Sequence, residues 1–125
     1  MNEENNFNYL PGNVENLILF RKFEDFILYF EPIVERFPHR EHFALQADIK
    51  RCMHRIAELI IVTNKSSRKL EGWHKVDTEL EMLRFYIRLS YKKGSSYLSF
   101  HGYETAEKKV NEIGKILGSL IKKGS

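Results

Sequence analysis

The feature that most restricts this chain is the spacing of its large apolar residues. They recur every three or four positions through four long stretches, and proline, glycine and serine clusters separate those stretches. That period places side chains on one face of an α-helix and cannot be read as the alternation of a strand. The first stretch, near 14–36, carries Phe20, Phe23, Phe26, Ile27, Phe30 and Val34 toward one side, with Phe37 just beyond. Asn13 stands where an N-cap would sit, and Pro32 falls inside the pattern, where it should kink the helix or cost a hydrogen bond. Arg36-Phe37-Pro38-His39 breaks the first helix, because a proline drives the residue before it out of helical geometry.

A second helix is expected near 40–64, with Leu45, Ile49, Cys52, Met53, Ile56, Leu59, Ile60 and Thr63 inward. Lys50, Arg51, His54 and Arg55 take its other side. The third, near 68–93, steps through Trp73, Val76, Leu80, Leu83, Ile87 and Tyr91, then ends at Lys92-Lys93-Gly94, as a helix C-terminus prefers. Ser99 is placed to cap a fourth helix running to about 122, which turns Tyr103, Ala106, Val110, Ile113, Leu117, Leu120 and Ile121 inward. Four helices joined by short connections predict an all-α, up-down-up-down antiparallel four-helix bundle, each helix about 33–39 Å long. Residues 1–13 read as a flexible leader, 14–123 as the bundle and 124–125 as a tail.

Composition narrows the function classes. A lone cysteine, Cys52, cannot form an intramolecular disulfide, which suits a reducing, cytoplasmic setting. The polar N-terminal stretch is unlike a secretory signal, and no apolar run is long enough for a membrane span. Charge is unevenly spread. Residues 1–47 hold 4 Lys/Arg against 8 Asp/Glu, whereas residues 48–125 hold 16 against 9. Such an excess suits either a surface that meets a polyanion or ordinary solvated helix faces.

The third helix is apolar on a second side. Met82, Phe85, Tyr86 and Leu89 lie roughly 100–160° from its seam, with Phe85 and Leu89 nearly opposite. A bundle buries one stripe per helix, so this face suggests an oligomer interface; a broad core stripe with a few exposed apolar residues is the plainer reading. Beside it, Arg84, Arg88 and Lys92 follow at i, i+4 and i+8. They form either a basic line suited to phosphate or an acidic partner, or side chains that snorkel and pair with Glu81 or acids of the first helix.

Catalytic and metal chemistry find little support. A carboxylate-bridged metal centre in a bundle needs two Glu-x-x-His pairs, and only Glu71-Gly72-Trp73-His74 is present. His39 with His42, and His54 with Glu58, supply too few inward ligands. Cys52 lies on an inner face, where a thiol is inert. There is no glycine-rich phosphate loop or nucleophile elbow, and Gly114-x-x-x-Gly118 is expected to let a neighbouring helix approach. No catalytic residue, metal or cofactor is assigned.

The stretch from Glu79 to Tyr91, with its Leu83-Arg84-x-x-x-Arg88-Leu89 core, resembles the third helix of the accessory variability determinant family of diversity-generating retroelements. The stretch from Tyr103 to Gly118, with Glu112-Ile113-Gly114-x-x-Leu117-Gly118, is similar to that family's last helix. The Arg36-Phe37-Pro38-His39-Arg40 break and the proline within the first helix are similar too, so the resemblance spans about 15–123. A sister group, the four-helix-bundle proteins encoded in intervening sequences of bacterial 23S rRNA genes, usually carries Asn-Ile-Ala-Glu-Gly. Here the segment reads Arg55-Ile56-Ala57-Glu58-Leu59, which favours the retroelement branch.

The resemblance implies a positively charged homopentameric ring without catalytic residues. It implies binding to the retroelement's reverse transcriptase and to RNA or cDNA during mutagenic reverse transcription. On that footing the partner-binding set is Arg84, Arg88 and Lys92, joined by Lys50, Arg51 and Arg55, and the oligomer interface is Met82, Phe85, Tyr86 and Leu89. The alternative is a cytosolic scaffold of the intervening-sequence type with no nucleic-acid role.

Overall fold

The computed structural model describes residues 12–124, which form four long α-helices and no strand. They are α1 (Gly12–Glu35), α2 (Leu45–Lys65), α3 (Lys69–Lys93) and α4 (Phe100–Lys123). Each packs on the next and α4 returns to α1, so the four-helix bundle expected from the apolar spacing is the fold. The expected leader lies almost wholly outside the described residues. The first helix already starts at Gly12, so Asn13 is its second residue and not its cap.

Apolar stripes meet along the axis. Trp73, Phe23, Phe26, Phe30, Met53 and Ile87 are buried to 1% exposure or less. Removing such a side chain from water contributes about 1.5–3 kcal/mol. Phe23, Phe26 and Phe30 stack successively down α1, with ring centroids 6.0 and 5.2 Å apart. The stripe of α1 begins a turn earlier than the phenylalanines suggest, at the fully buried Leu19, while Phe20 and Ile27 lie at its edge. Pro32 is tolerated inside α1. The carbonyl its missing N–H leaves unpaired is that of Leu28, whose side chain is 70% exposed, so water can satisfy it.

The second helix begins at Leu45, later than the expected 40, because the chain first makes a 3-10 turn over His39–Glu41. Glu41 explains the delay. Its carboxylate turns inward and is only 6% exposed. It accepts from Tyr97 Oη (2.7 Å) and Lys93 Nζ (3.1 Å), and its other oxygen accepts from the Leu45 N–H (3.3 Å). One of the orphan donors opening α2 is thereby satisfied by an upstream side chain instead of a local cap. The same carboxylate joins the α1–α2 connection to the α3–α4 connection. The phenol of Tyr97, and then Lys93, hold its pKa below the ordinary carboxylate value against the opposing effect of burial.

The other connections follow the expected rules. Lys69 Nζ donates to the carbonyls of Asn64 and Ser66, covering the negative end of α2. Helix α3 stops at Lys93, followed by Gly94 at φ 126°. Ser99 Oγ accepts from the Gly102 N–H and caps α4.

Glycine sets the closest approach of α2 and α3. A Cβ at Gly72 would fall 2.3 Å from Thr63 Oγ1 and 2.8 Å from Thr63 Cβ, and Thr63 is itself buried. Gly114 and Gly118 do not act as the sequence suggested. The space at Gly114 is taken by the Arg84 guanidinium, 2.5 Å from a would-be Cβ, and nothing lies within 4 Å of Gly118.

Two outcomes follow for urea unfolding. Gly72→Ala gains helix propensity but overpacks against Thr63, and should lower stability by about 1–3 kcal/mol, whereas Gly118→Ala should raise it by about 0.5–1 kcal/mol. Because Glu41 is depressed in the folded state, its contribution is complete above the unfolded value near 4.5 and is lost as pH falls through the folded value. The urea midpoint should therefore drop on the acid side of 4.5, and the drop should be shallower in Glu41→Gln.

Candidate functional site

The six cations expected to face a partner are not alike. Lys50 pairs with Glu35 (3.4 Å), Arg51 with Asp48 (3.0 Å) and Arg55 with Glu79 (3.4 Å). These pairs are partly or largely exposed and individually weak, so the charges stay available to a stronger partner at little cost. Arg84 is different. Its Nη1 donates to Asn111 Oδ1 at 2.7 Å, its Nε lies 3.2 Å from Glu81 without hydrogen-bond alignment, and its fork fills the gap above Gly114. It is a strut between α3 and α4. Arg88 and Lys92 are exposed and make no ion pair among the described residues. The basic line of α3 thus has an anchored start and two open cations beyond it.

The apolar face beside that line also divides. Met82 is 41% and Phe85 46% exposed. Tyr86 and Leu89 instead lean on the rim of the bundle's own core. Tyr86 leans toward α2, where burial first, and the charge of Asp48 next, push its phenol pKa up. The outward apolar surface of the single chain is therefore narrower than the four residues suggested. Separately, on α2, Ile61 is 49% and Val62 62% exposed.

Candidate reactive groups are occupied or scattered. Cys52 Sγ donates to the Glu79 carbonyl at 3.5 Å, and burial, then the Glu79 charge, push its thiol up to about 12. His54 Nε2 sits 3.0 Å from Glu31, not against Glu58. His39 and His42 lie parallel to each other, with ring centroids 6.2 Å apart. Among the described residues no three histidine, cysteine or acidic side chains gather where a metal could sit. No described helix is long and apolar enough to cross a membrane.

Sequence reasoning passed over Glu41, Tyr97 and Asn111. The acid falls inside the expected second helix, the tyrosine falls between the third and fourth helical patterns, and the asparagine matters only because Arg84 reaches it from another helix.

Alanine at two positions of the basic line should separate structure from surface. Arg84→Ala should cost about 1–2 kcal/mol of stability, since a charge-assisted hydrogen bond and its packing are lost. Arg88→Ala should stay within about 0.5 kcal/mol of the parent in the same unfolding experiment.

No curated protein matches the chain. A family model described as bAvd-like matches residues 17–124, from the first full turns of α1 to the end of α4. With nearly all of the bundle inside that match, the chain belongs to the bAvd-like family.

Proposed function

We propose that this chain is a non-enzymatic accessory subunit of a diversity-generating retroelement. It would bind the element's reverse transcriptase and hold RNA or cDNA near the polymerase, working as a homo-oligomeric ring. Family membership across residues 17–124 carries this reading. Two surface features support it. Arg88 and Lys92 are open cations on the outer side of α3, and Phe85 and Met82 beside them are apolar side chains left 46% and 41% exposed by their own chain. A copy of the chain seated on Phe85 would repeat the cations around an axis and raise the local potential.

A second reading draws on a specific observation. Four of the six candidate cations, Lys50, Arg51, Arg55 and Arg84, are paired within the chain. That suits a bundle that only scaffolds proteins. Salt dependence separates the two, because phosphate contacts release counterions and side-chain packing does not.

Gel-shift titration with RNA from low to physiological salt should show binding that weakens steeply with salt. Arg88→Ala combined with Lys92→Ala should flatten the log–log slope by about 0.7 per lost cation, and should weaken capture of the co-expressed reverse transcriptase. In sedimentation the parent should run as an oligomer and Phe85→Asp as a smaller species. RNA binding that is absent, or insensitive to salt, would favour the scaffold reading.

A further inference from the structure

The end of the bundle that gathers the close of α1, the start of α2, the close of α3 and the start of α4 carries the two most exposed phenylalanines among the described residues. Phe43 is 91% exposed and Phe100 59% exposed. Removing either ring from water would contribute about as much as a core residue, yet the fold holds both outside. Neither is loose. Phe43 stands edge-on against His42, with ring centroids 4.6 Å apart. Phe100 leans on Tyr91 at 6.1 Å, and Tyr91 in turn stacks on Tyr103 at 4.5 Å.

The charge at this end is one-sided. Arg36, Arg40 and Lys92 are exposed without an ion pair among the described residues. The neighbouring acids are already engaged: Glu31 with His54, Glu35 with Lys50 and Glu41 with Lys93. Glu104, a turn into α4, is the exception. Between α1 and the α3–α4 connection lies a cavity of about 320 Å³, lined by Arg36, Ser95, Tyr97, Ser99 and His101 among others. The Glu41 carboxylate, bonded to both connections, makes this end one rigid piece.

We propose that this end of the bundle is a docking surface for single-stranded nucleic acid. Unpaired bases stack on Phe43 and Phe100, while Arg36, Arg40 and Lys92 meet the phosphates. Stacking on an exposed side-chain ring needs a base face that is free, which a single strand offers and a duplex hides. Stacking platforms flanked by cations also bind without regard to sequence. The proposal rests on the nucleic-acid role argued above, and carries the strand from the outer side of α3, through Lys92, onto the bundle end.

The test is fluorescence anisotropy with a labelled oligouridylate of about sixteen nucleotides, and with an RNA duplex of equal length. The parent should favour the single strand. Phe43→Ala with Phe100→Ala should weaken it by about ten-fold or more while leaving the salt slope nearly unchanged. Arg36→Ala with Arg40→Ala should reduce that slope by about 1.4. Helical circular dichroism should be unaltered in both, because all four side chains are exposed. The bundle-end proposal is overturned if the aromatic variant binds like the parent while the Arg88→Ala variant loses the RNA, an outcome that leaves the broader function standing. Preference for the duplex would overturn it too, as would an aromatic variant whose only change is in sedimentation, which would make this end a contact between copies. A parent that binds neither probe at any salt removes the nucleic-acid role altogether.

Discussion

Everything in this fold depends on four apolar stripes being able to come close enough to exclude water from a common seam. The tightest of its glycine contacts is where Gly72 of α3 lies against Thr63 of α2, with no room for a further methyl group. Dispersion contacts fall away within fractions of an ångström, so that one absent side chain governs how well Ile60, Trp73 and Val76 fill the space around it. A glycine in a helix interior lowers helix propensity by about 1 kcal/mol, and the packing it permits outweighs that loss.

Against that apolar seam, the polar contacts serve to fix geometry more than to add net stability. A buried carboxylate is expensive unless every oxygen is satisfied, and Glu41 meets that condition through three donors from three parts of the chain. Arg84 follows the same logic at mid-bundle, spanning from α3 to Asn111 of α4 over the gap at Gly114. Both tie together elements that apolar packing alone would leave free to slide.

Periodicity made the fold legible, and it did so because each helix buries a single stripe. The limits of α3 and α4, the Ser99 cap and the Gly94 stop were readable for the same reason, their causes lying within a few residues along the chain, whereas the starts of α1 and α2 were not. What could not be read were contacts made across helices. Nothing local marks Glu41 as an inward acid or Arg84 as a strut, since Tyr97 and Asn111 lie 56 and 27 positions away. The wheel that set Leu89 opposite the seam of α3 treated the helix as isolated. In the bundle Leu89 leans on the core's edge, and Phe85 and Met82 remain outside. The basic residues were visible as charges, but which of them keep that charge open depends on neighbours such as Glu35, Asp48 and Glu79.

An even number of antiparallel rods brings the opening of α1 and the close of α4 to the same pole, where Glu15 accepts from Ser119 and Lys123. The opposite pole consists only of internal connections. A fluorescent protein or affinity handle joined directly after α4 would therefore hang from the far side of the described bundle, leaving the aromatic-capped pole unobstructed. Two dyes, one per pole, would report the bundle's orientation on any larger assembly.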